Sequence, residues 1–303
     1  MTQPSLHHVP CPDADGGHRV AYWHWGNPAA AHVVVCVHGL SRQGRDFDVL
    51  AAHLVDKTNG NIRVICPDVV GRGESDWLKD PVGYQIPMYA ADMLTLLRQV
   101  HAQTAITTLD WVGTSMGGLI GMVMCGRLDL PLPAPVRKLV LNDVGPAIEW
   151  LSLVRIGTYL GRSVEFDSLQ QAADAMWAIS YGFGPHTPEQ WLALSKPMLR
   201  PVNNTASNKL RLHYDPALAL PFKQATQEST LQGEKTLWQF YDNITAQTLL
   251  LRGTDSDLLS LATAKAMGQR GPRAPLVEFA GVGHAPTLVA ADQVAAVTDF
   301  LLG

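Results

Sequence analysis

The chain is poor in charge. Only 17% of its 303 residues are Asp, Glu, Lys or Arg, and the 23 basic residues fall short of the 27 acidic ones. With a net charge of −4 there is no positive field to gather a polyanion, so nucleic acid is not an expected partner. Long apolar runs are missing too, and no stretch approaches the length of a membrane span, so no membrane partner is expected. The first residues, "MTQPSLHHVPCPDADGG", lack a cationic region followed by an apolar one. No signal peptide is evident there, and the expected location is the cytoplasm. Cysteine is scarce: of four, Cys36, Cys66 and Cys125 sit inside apolar runs, where they read as small core hydrophobes rather than a disulfide framework or a metal site.

Apolar residues make up 47% of the chain, enough to build a large core. They are arranged in alternation. Short apolar runs at 18–25, 32–39, 61–68, 105–113, 136–145, 247–253 and 275–281 read as strands. Helix-like segments lie between them at 44–57, 88–101 and 116–128, from about 260, and at 286–302. Continuous apolar strands separated by helices predict a mostly parallel central sheet with helices on both faces. Between about 147 and 230 the rhythm changes to helix-like stretches without an obvious strand. That region is expected to be a helical cap inserted over the sheet's C-terminal edge, leaving 1–146 and 231–303 as the core domain. There is no internal repeat.

The stretch "WVGTSMGGL" places Ser115 between Gly113 and Gly117, where a predicted strand gives way to a predicted helix. Glycines at those positions permit a tight turn that lifts the serine hydroxyl above the sheet edge at a helix N-terminus. A serine hydroxyl needs a base, and the base needs an orienting acid. Of eleven histidines, His284 in "GVGHAP" lies in a loop after the last strand, where parallel sheets present functional groups. His7, His8, His18, His24, His53 and His101 read as solvated or incidentally packed. For the acid, Asp255 and Asp257 in "LLLRGTDSDLLS" follow the penultimate strand, and Asp143 ends the strand "KLVLND". Asp68 reads as a loop-stabilising acid. The donors for a developing oxyanion are expected to be the N–H groups of Leu40, after Gly39, and of Met116, after the nucleophile. His38 is read as orienting that loop.

Together these segments resemble the α/β-hydrolase fold family, in the branch that carries a helical cap. "VCVHGLSRQGRDFD" is similar to its oxyanion loop, "PDVVGRGESDW" to the loop after the next strand and "GTSMGG" to the nucleophile elbow. "LLLRGTDSDLLS" resembles the acid loop and "GVGHAP" the histidine loop. The resemblance implies the chain order Ser, acid, His. Members often place the acid three residues after the acid loop's glycine, but here Ser256 stands at that position. Alignment of the following "DLLSL" favours Asp257, then Asp255, then Asp143.

Serine at the elbow disfavours the carboxylate-nucleophile dehalogenases and epoxide hydrolases of this fold. The expected chemistry is hydrolysis of a carboxylic ester or lactone through an acyl-enzyme on Ser115. His284 is the base, Asp257 its orienting acid, and no metal or organic cofactor is needed. The expected partner is a small substrate with an apolar part, because Trp150, Tyr181, Phe183, Tyr214 and Phe222 could line a pocket under the cap. Three alternatives use the same framework. One is a carbon–carbon bond hydrolase of ring-cleavage products, for which Arg155, Arg162 or Arg211 could manage the dienolate. The others are a cofactor-free perhydrolase and a non-catalytic ligand-binding protein. Nothing in the sequence states an oligomeric form.

Overall fold

A computed structural model describes residues 3–202 and 208–303. The first elements are β1 (Ser5–Cys11), β2 (His18–Gly26), β3 (His32–Val37), α1 (Asp48–Lys57), β4 (Arg63–Asp68), α2 (Ile86–Gln103) and β5 (Thr108–Thr114). Then come α3 (Met116–Gly126), β6 (Val136–Asn142), α4 (Trp150–Tyr159), β7 (Glu165–Phe166), α5 (Leu169–Ser180) and α6 (Pro188–Ser195). Next are β8 (Leu199–Pro201), β9 (Leu210–Leu212), α7 (Ala219–Gln224) and α8 (Gln227–Asn243). The chain finishes with β10 (Gln247–Gly253), α9 (Leu261–Met267), β11 (Leu276–Phe279) and α10 (Ala291–Leu302).

Eight strands form one sheet in the order β1-β2-β4-β3-β5-β6-β10-β11. From β4 to β11 the neighbours are parallel, and β1 and β2 close the other edge antiparallel. The apolar strands earn their burial by feeding two cores at once. Val33, Val35, Val37, Trp111 and Leu141 pack toward α2 and α3, while Val34, Cys36, Val112 and Val140 pack toward α1 and α10. Residues two apart on a pleated strand share a face, so a strand apolar at every position must be covered on both sides. All four cysteines are free.

Because the strands from β3 onward run parallel, the loops that follow β3, β5, β6, β10 and β11 all emerge at one edge. Between β6 and β10 the chain leaves the sheet for the segment containing α4 to α7, of which residues 203–207 lie outside the described set. No strand was expected there, yet β7, β9 and β8 form a small antiparallel sheet of their own. Strands of two or three residues carry no alternation to read, which is why sequence periodicity misses them. β1 also escapes the pattern: it holds Pro10 and two histidines, and as an edge strand it needs only one apolar face.

Helix α8 returns to the sheet by packing on α3. The approach is close because a Cβ at Gly126 would collide with the backbone carbonyl of Phe240. At the opposite edge, β2 is tied to α2 through His18, buried between two carboxylates. Its ring nitrogens bond Asp13 Oδ2 at 2.8 Å and Asp92 Oδ2 at 3.1 Å. Burial alone would lower the His18 pKa, but the hydrogen bonds and charges of Asp92 and Asp13 outweigh it and raise it to about 9.

Two measurements test this packing. In urea unfolding, Gly126→Ala is expected to cost about 1–3 kcal/mol by overpacking. Gly157→Ala, at an exposed position of α4 with open space at its Cβ, should gain about 0.5–1 kcal/mol instead. For His18, the folded value lies above the unfolded one near 6.5, so its contribution is full below about pH 6.5 and is lost toward pH 9. The stability gap between the wild type and His18→Gln should therefore shrink across that window. A gap that widens with pH would contradict a charged His18.

Candidate active site

The turn from β5 into α3 is as tight as its glycines allow. A Cβ at Gly113 would meet the backbone of Gly117, and one at Gly117 would meet the carbonyl of Val37. Ser115 itself has φ 51° and ψ −115°, a conformation that costs a non-glycine residue on the order of 1–3 kcal/mol. The surroundings hold it there. Ser115 N–H donates to the Asn142 carbonyl at 2.9 Å, and Trp111 Nε1–H donates to the Gly117 carbonyl at 3.1 Å. The hydroxyl is thereby fixed at the head of α3, and His284 Nε2 lies 2.9 Å from Ser115 Oγ.

The partner of the other ring nitrogen is Asp143. His284 Nδ1 is 2.8 Å from Asp143 Oδ2. Asp143 is fully buried, at φ 55° directly after β6, and two further donors hold its carboxylate. Gly253 N–H reaches Oδ1 at 3.0 Å, and the Ser256 hydroxyl reaches Oδ2 at 2.7 Å. With Oδ2 accepting from His284, the ring is held as the Nδ1–H tautomer and Nε2 is left to face the serine.

This corrects the expectation for Asp257. The loop after β10 carries Asp257 outward to an exposed two-point pair with Arg155, at 2.7 and 3.0 Å, and away from His284. Asp255 is also exposed, bonded to the neighbouring Thr254 hydroxyl. The carboxylate that faces the imidazole thus stands at the end of β6, one strand along the sheet from the end of β10. Ser256, three residues after the loop's glycine, donates its hydroxyl to the Asp143 carboxylate.

The loop after β3 is organised by His38, fully buried and pushed down to about 3 chiefly by desolvation. A neutral ring fits its contacts: Nδ1–H donates to the Gly39 carbonyl at 2.7 Å, and Nε2 accepts Val69 N–H at 2.9 Å. Arg42 N–H also donates to the Gly39 carbonyl. In a trans peptide the N–H points opposite to the carbonyl, so fixing Gly39 C=O toward His38 turns the Leu40 N–H the other way. The Leu40 carbonyl in turn accepts Arg72 Nε–H at 2.8 Å. Met116 is the first residue of α3, so its N–H has no acceptor inside the helix. Asp68 anchors the adjoining segments by accepting the N–H groups of Gly44 and Glu74 and Trp23 Nε1–H, although burial raises its pKa to about 7.

Arg72 went unnoticed in the sequence although its loop was singled out. It is fully buried. Besides Leu40 it bonds the Val70 carbonyl at 2.7 Å, reaches Met116 Sδ at 3.4 Å and lies over the Tyr89 ring. One guanidinium thus braces both segments beside Ser115. No sequence signal separates such an arginine from a solvated one.

Two cavities open on Ser115. One, of about 140 Å³, is bounded by His284, Arg42, Arg155, Tyr159, Phe183 and Tyr214. The other, of about 540 Å³, is bounded by Met116, Leu119, Tyr84, Leu218 and Phe222 among others. Of the aromatics expected at a pocket, Phe183, Tyr214 and Phe222 are there. Tyr181 is 75% exposed and lines neither cavity, nor does Trp150. Arg162 and Arg211 border a separate small pocket beside Trp77. Among the described residues, Cys11, His18 and Asp92 are the one group spaced to hold a metal ion. They line neither cavity, and His18 is already engaged on both sides by carboxylates.

Comparison with known proteins agrees with this architecture. The model of the Alpha/beta hydrolase family matches residues 34–297. A 3-hydroxybutyrate-oligomer hydrolase of Cupriavidus necator is 46% identical over 300 residues, spanning 99% of this chain and 98% of its own. Among solved structures, an alpha/beta hydrolase from Novosphingobium aromaticivorans superposes with a TM-score of 0.81 at 32% identity, covering 100% of this chain and 99% of the other. A putative hydrolase from Rickettsia typhi gives 0.83 at 26% identity, covering 99% of each chain. A buried carboxylate, an imidazole and a strained serine meet where the parallel strands end, on a chain matched over most of its length: it belongs to the α/β-hydrolase family.

Proposed function

We propose that the protein hydrolyses carboxylic esters through an acyl-enzyme on Ser115, and that its substrates are short oligoesters of a hydroxy acid. The observation that carries the reaction type is the continuous line of hydrogen bonds from Asp143 through His284 to Ser115 Oγ. The hydroxy-acid substrate is supported by the 46% identical relative, named for hydrolysis of 3-hydroxybutyrate oligomers. Residues 147–230 serve as a cap over both cavities.

His284 Nε2 removes the Ser115 proton as Oγ attacks the ester carbonyl. Asp143 keeps the ring in the right tautomer and stabilises the imidazolium that forms. The oxyanion is met by Leu40 N–H and Met116 N–H, each worth about 3–4 kcal/mol of transition-state stabilisation. His38, Arg42 and Arg72 hold the first donor in place through the peptide on either side of it. His284 then gives its proton to the departing alcohol oxygen, activates a water, and the acid is released. Every step uses groups of this chain and water.

Purified enzyme is expected to hydrolyse the linear dimer of 3-hydroxybutyrate and short p-nitrophenyl esters, with Ser115→Ala abolishing both. Asp143→Asn should lower kcat by about 10⁴-fold through the wrong histidine tautomer. Asp257→Asn, which breaks only an exposed pair with Arg155, should stay within a few-fold of wild type. Full activity in Ser115→Ala, or an Asp257 effect larger than that of Asp143, would overturn the mechanism.

A further inference from the structure

We infer that the two cavities meeting at Ser115 take opposite halves of the ester. The acyl half occupies the large apolar cavity, and the alcohol half occupies the small cavity that carries the arginines. The enzyme is therefore built to cut the ester next to a free carboxylate and release one hydroxy acid at a time. This rests on the ester-hydrolase reading above and gives that site a direction.

The assignment follows from where the proton must go. When the tetrahedral intermediate collapses, the bond to the alcohol oxygen breaks, and that oxygen takes the proton held on His284 Nε2. The acyl carbon stays bonded to Ser115 Oγ. The leaving oxygen must therefore lie on the histidine's side of the serine. His284 borders only the small cavity, together with Ala285, Pro286 and Thr287 of its loop. The large cavity shares Leu40, Ser115 and Ile156 with the small one but is walled further by Met116 and Leu119, and the histidine loop contributes nothing to its wall.

The two walls suit those halves chemically. The small cavity, about 140 Å³ against about 540 Å³, is bounded by Arg42, Arg155 and a single carboxylate, Asp46. Arg42 is largely buried. It engages Asp46 through Nε and Nη2, its Nη2 also donates to the Leu194 carbonyl, and among the described residues its Nη1 has no partner. Asp257, the partner of Arg155, does not border the cavity. The leaving group of a hydroxy-acid oligoester ends in a carboxylate a few bonds from the departing oxygen. Guanidinium N–H groups in a confined cavity are suited to receive it. The large cavity has no charged residue in its wall, with Tyr84, Leu119, Leu218 and Phe222 facing it. It suits the rest of the oligomer, which is uncharged and ends in a hydroxyl.

The test is a two-way series. One arm varies acyl length from acetyl to decanoyl on a constant small alcohol, and the other varies the alcohol from methyl to octyl on a constant acetyl group. The 3-hydroxybutyrate dimer is run beside them as the free acid and as its methyl ester. Wild type should accept long acyl chains but lose at least tenfold in kcat/KM as the alcohol lengthens. It should also prefer the free-acid dimer to its methyl ester by tenfold or more. Leu119→Trp should shorten the acyl range, and Arg42→Gln or Arg155→Gln should collapse the free-acid preference. A tolerance for long alcohols with a strict acyl limit would reverse the lobes and overturn the assignment. So would equal kcat/KM for the acid and its methyl ester. Because wild-type profiles decide both points, a variant that fails to fold does not rescue the proposal. Absence of hydrolysis across the whole series would instead fail the ester-hydrolase reading itself.

Discussion

The arrangement depends on one buried carboxylate. Asp143 has no access to solvent, and its three acceptor contacts come from two other segments: His284 in the loop after β11, and Gly253 and Ser256 at the end of β10 and in the loop that follows it. A buried charge without such partners would be strongly destabilising, so the loops after β6, β10 and β11 are held to one mutual geometry. Asn142, the preceding residue, extends the constraint. Its side-chain amide donates to the Thr114 hydroxyl at 2.9 Å and the Pro286 carbonyl at 2.8 Å, joining the elbow to the histidine loop. The position of His284 is thus set by the sheet, and the serine meets it there.

A second constraint works from the opposite side. His38, Arg72 and Asp68 are buried polar groups, and most of their hydrogen bonds go to backbone around the loops after β3 and β4. Such groups specify a loop conformation because any other would leave them unpaired. The strain at Ser115 is tolerated between these two braced regions, and it aims the hydroxyl at the histidine instead of along α3.

The elements that made this fold legible in sequence are those whose signal is local. β10 was read at its observed bounds, and β2, β3, β5 and α3 lie within a few residues of expectation, because apolar runs between glycines announce buried strands. Ser115 and His284, whose side chains meet at 2.9 Å, stand out in the sequence for a related reason: each sits in a short glycine-containing turn between a strand and a helix. The acid was not. Asp143, Asp255 and Asp257 all follow apolar strands, and only the side-by-side placement of β6 and β10 shows which carboxylate faces the imidazole. Ser256 was noted as a departure from the usual acid position, but its hydroxyl bond to Asp143 is a three-dimensional fact. Arg72 and the small sheet of β7, β9 and β8 were invisible for want of any periodicity.

The hydrogen bond between Asp143 and His284 is directly observable by proton NMR of the wild type. A proton shared between an imidazole Nδ1 and a buried carboxylate resonates far downfield of the amide envelope. Such a signal is expected in the wild type, lost in Asp143→Asn and in His284→Gln, and retained in Asp257→Asn. A downfield signal that survives in Asp143→Asn and vanishes in Asp257→Asn would contradict the Asp143–His284 bond.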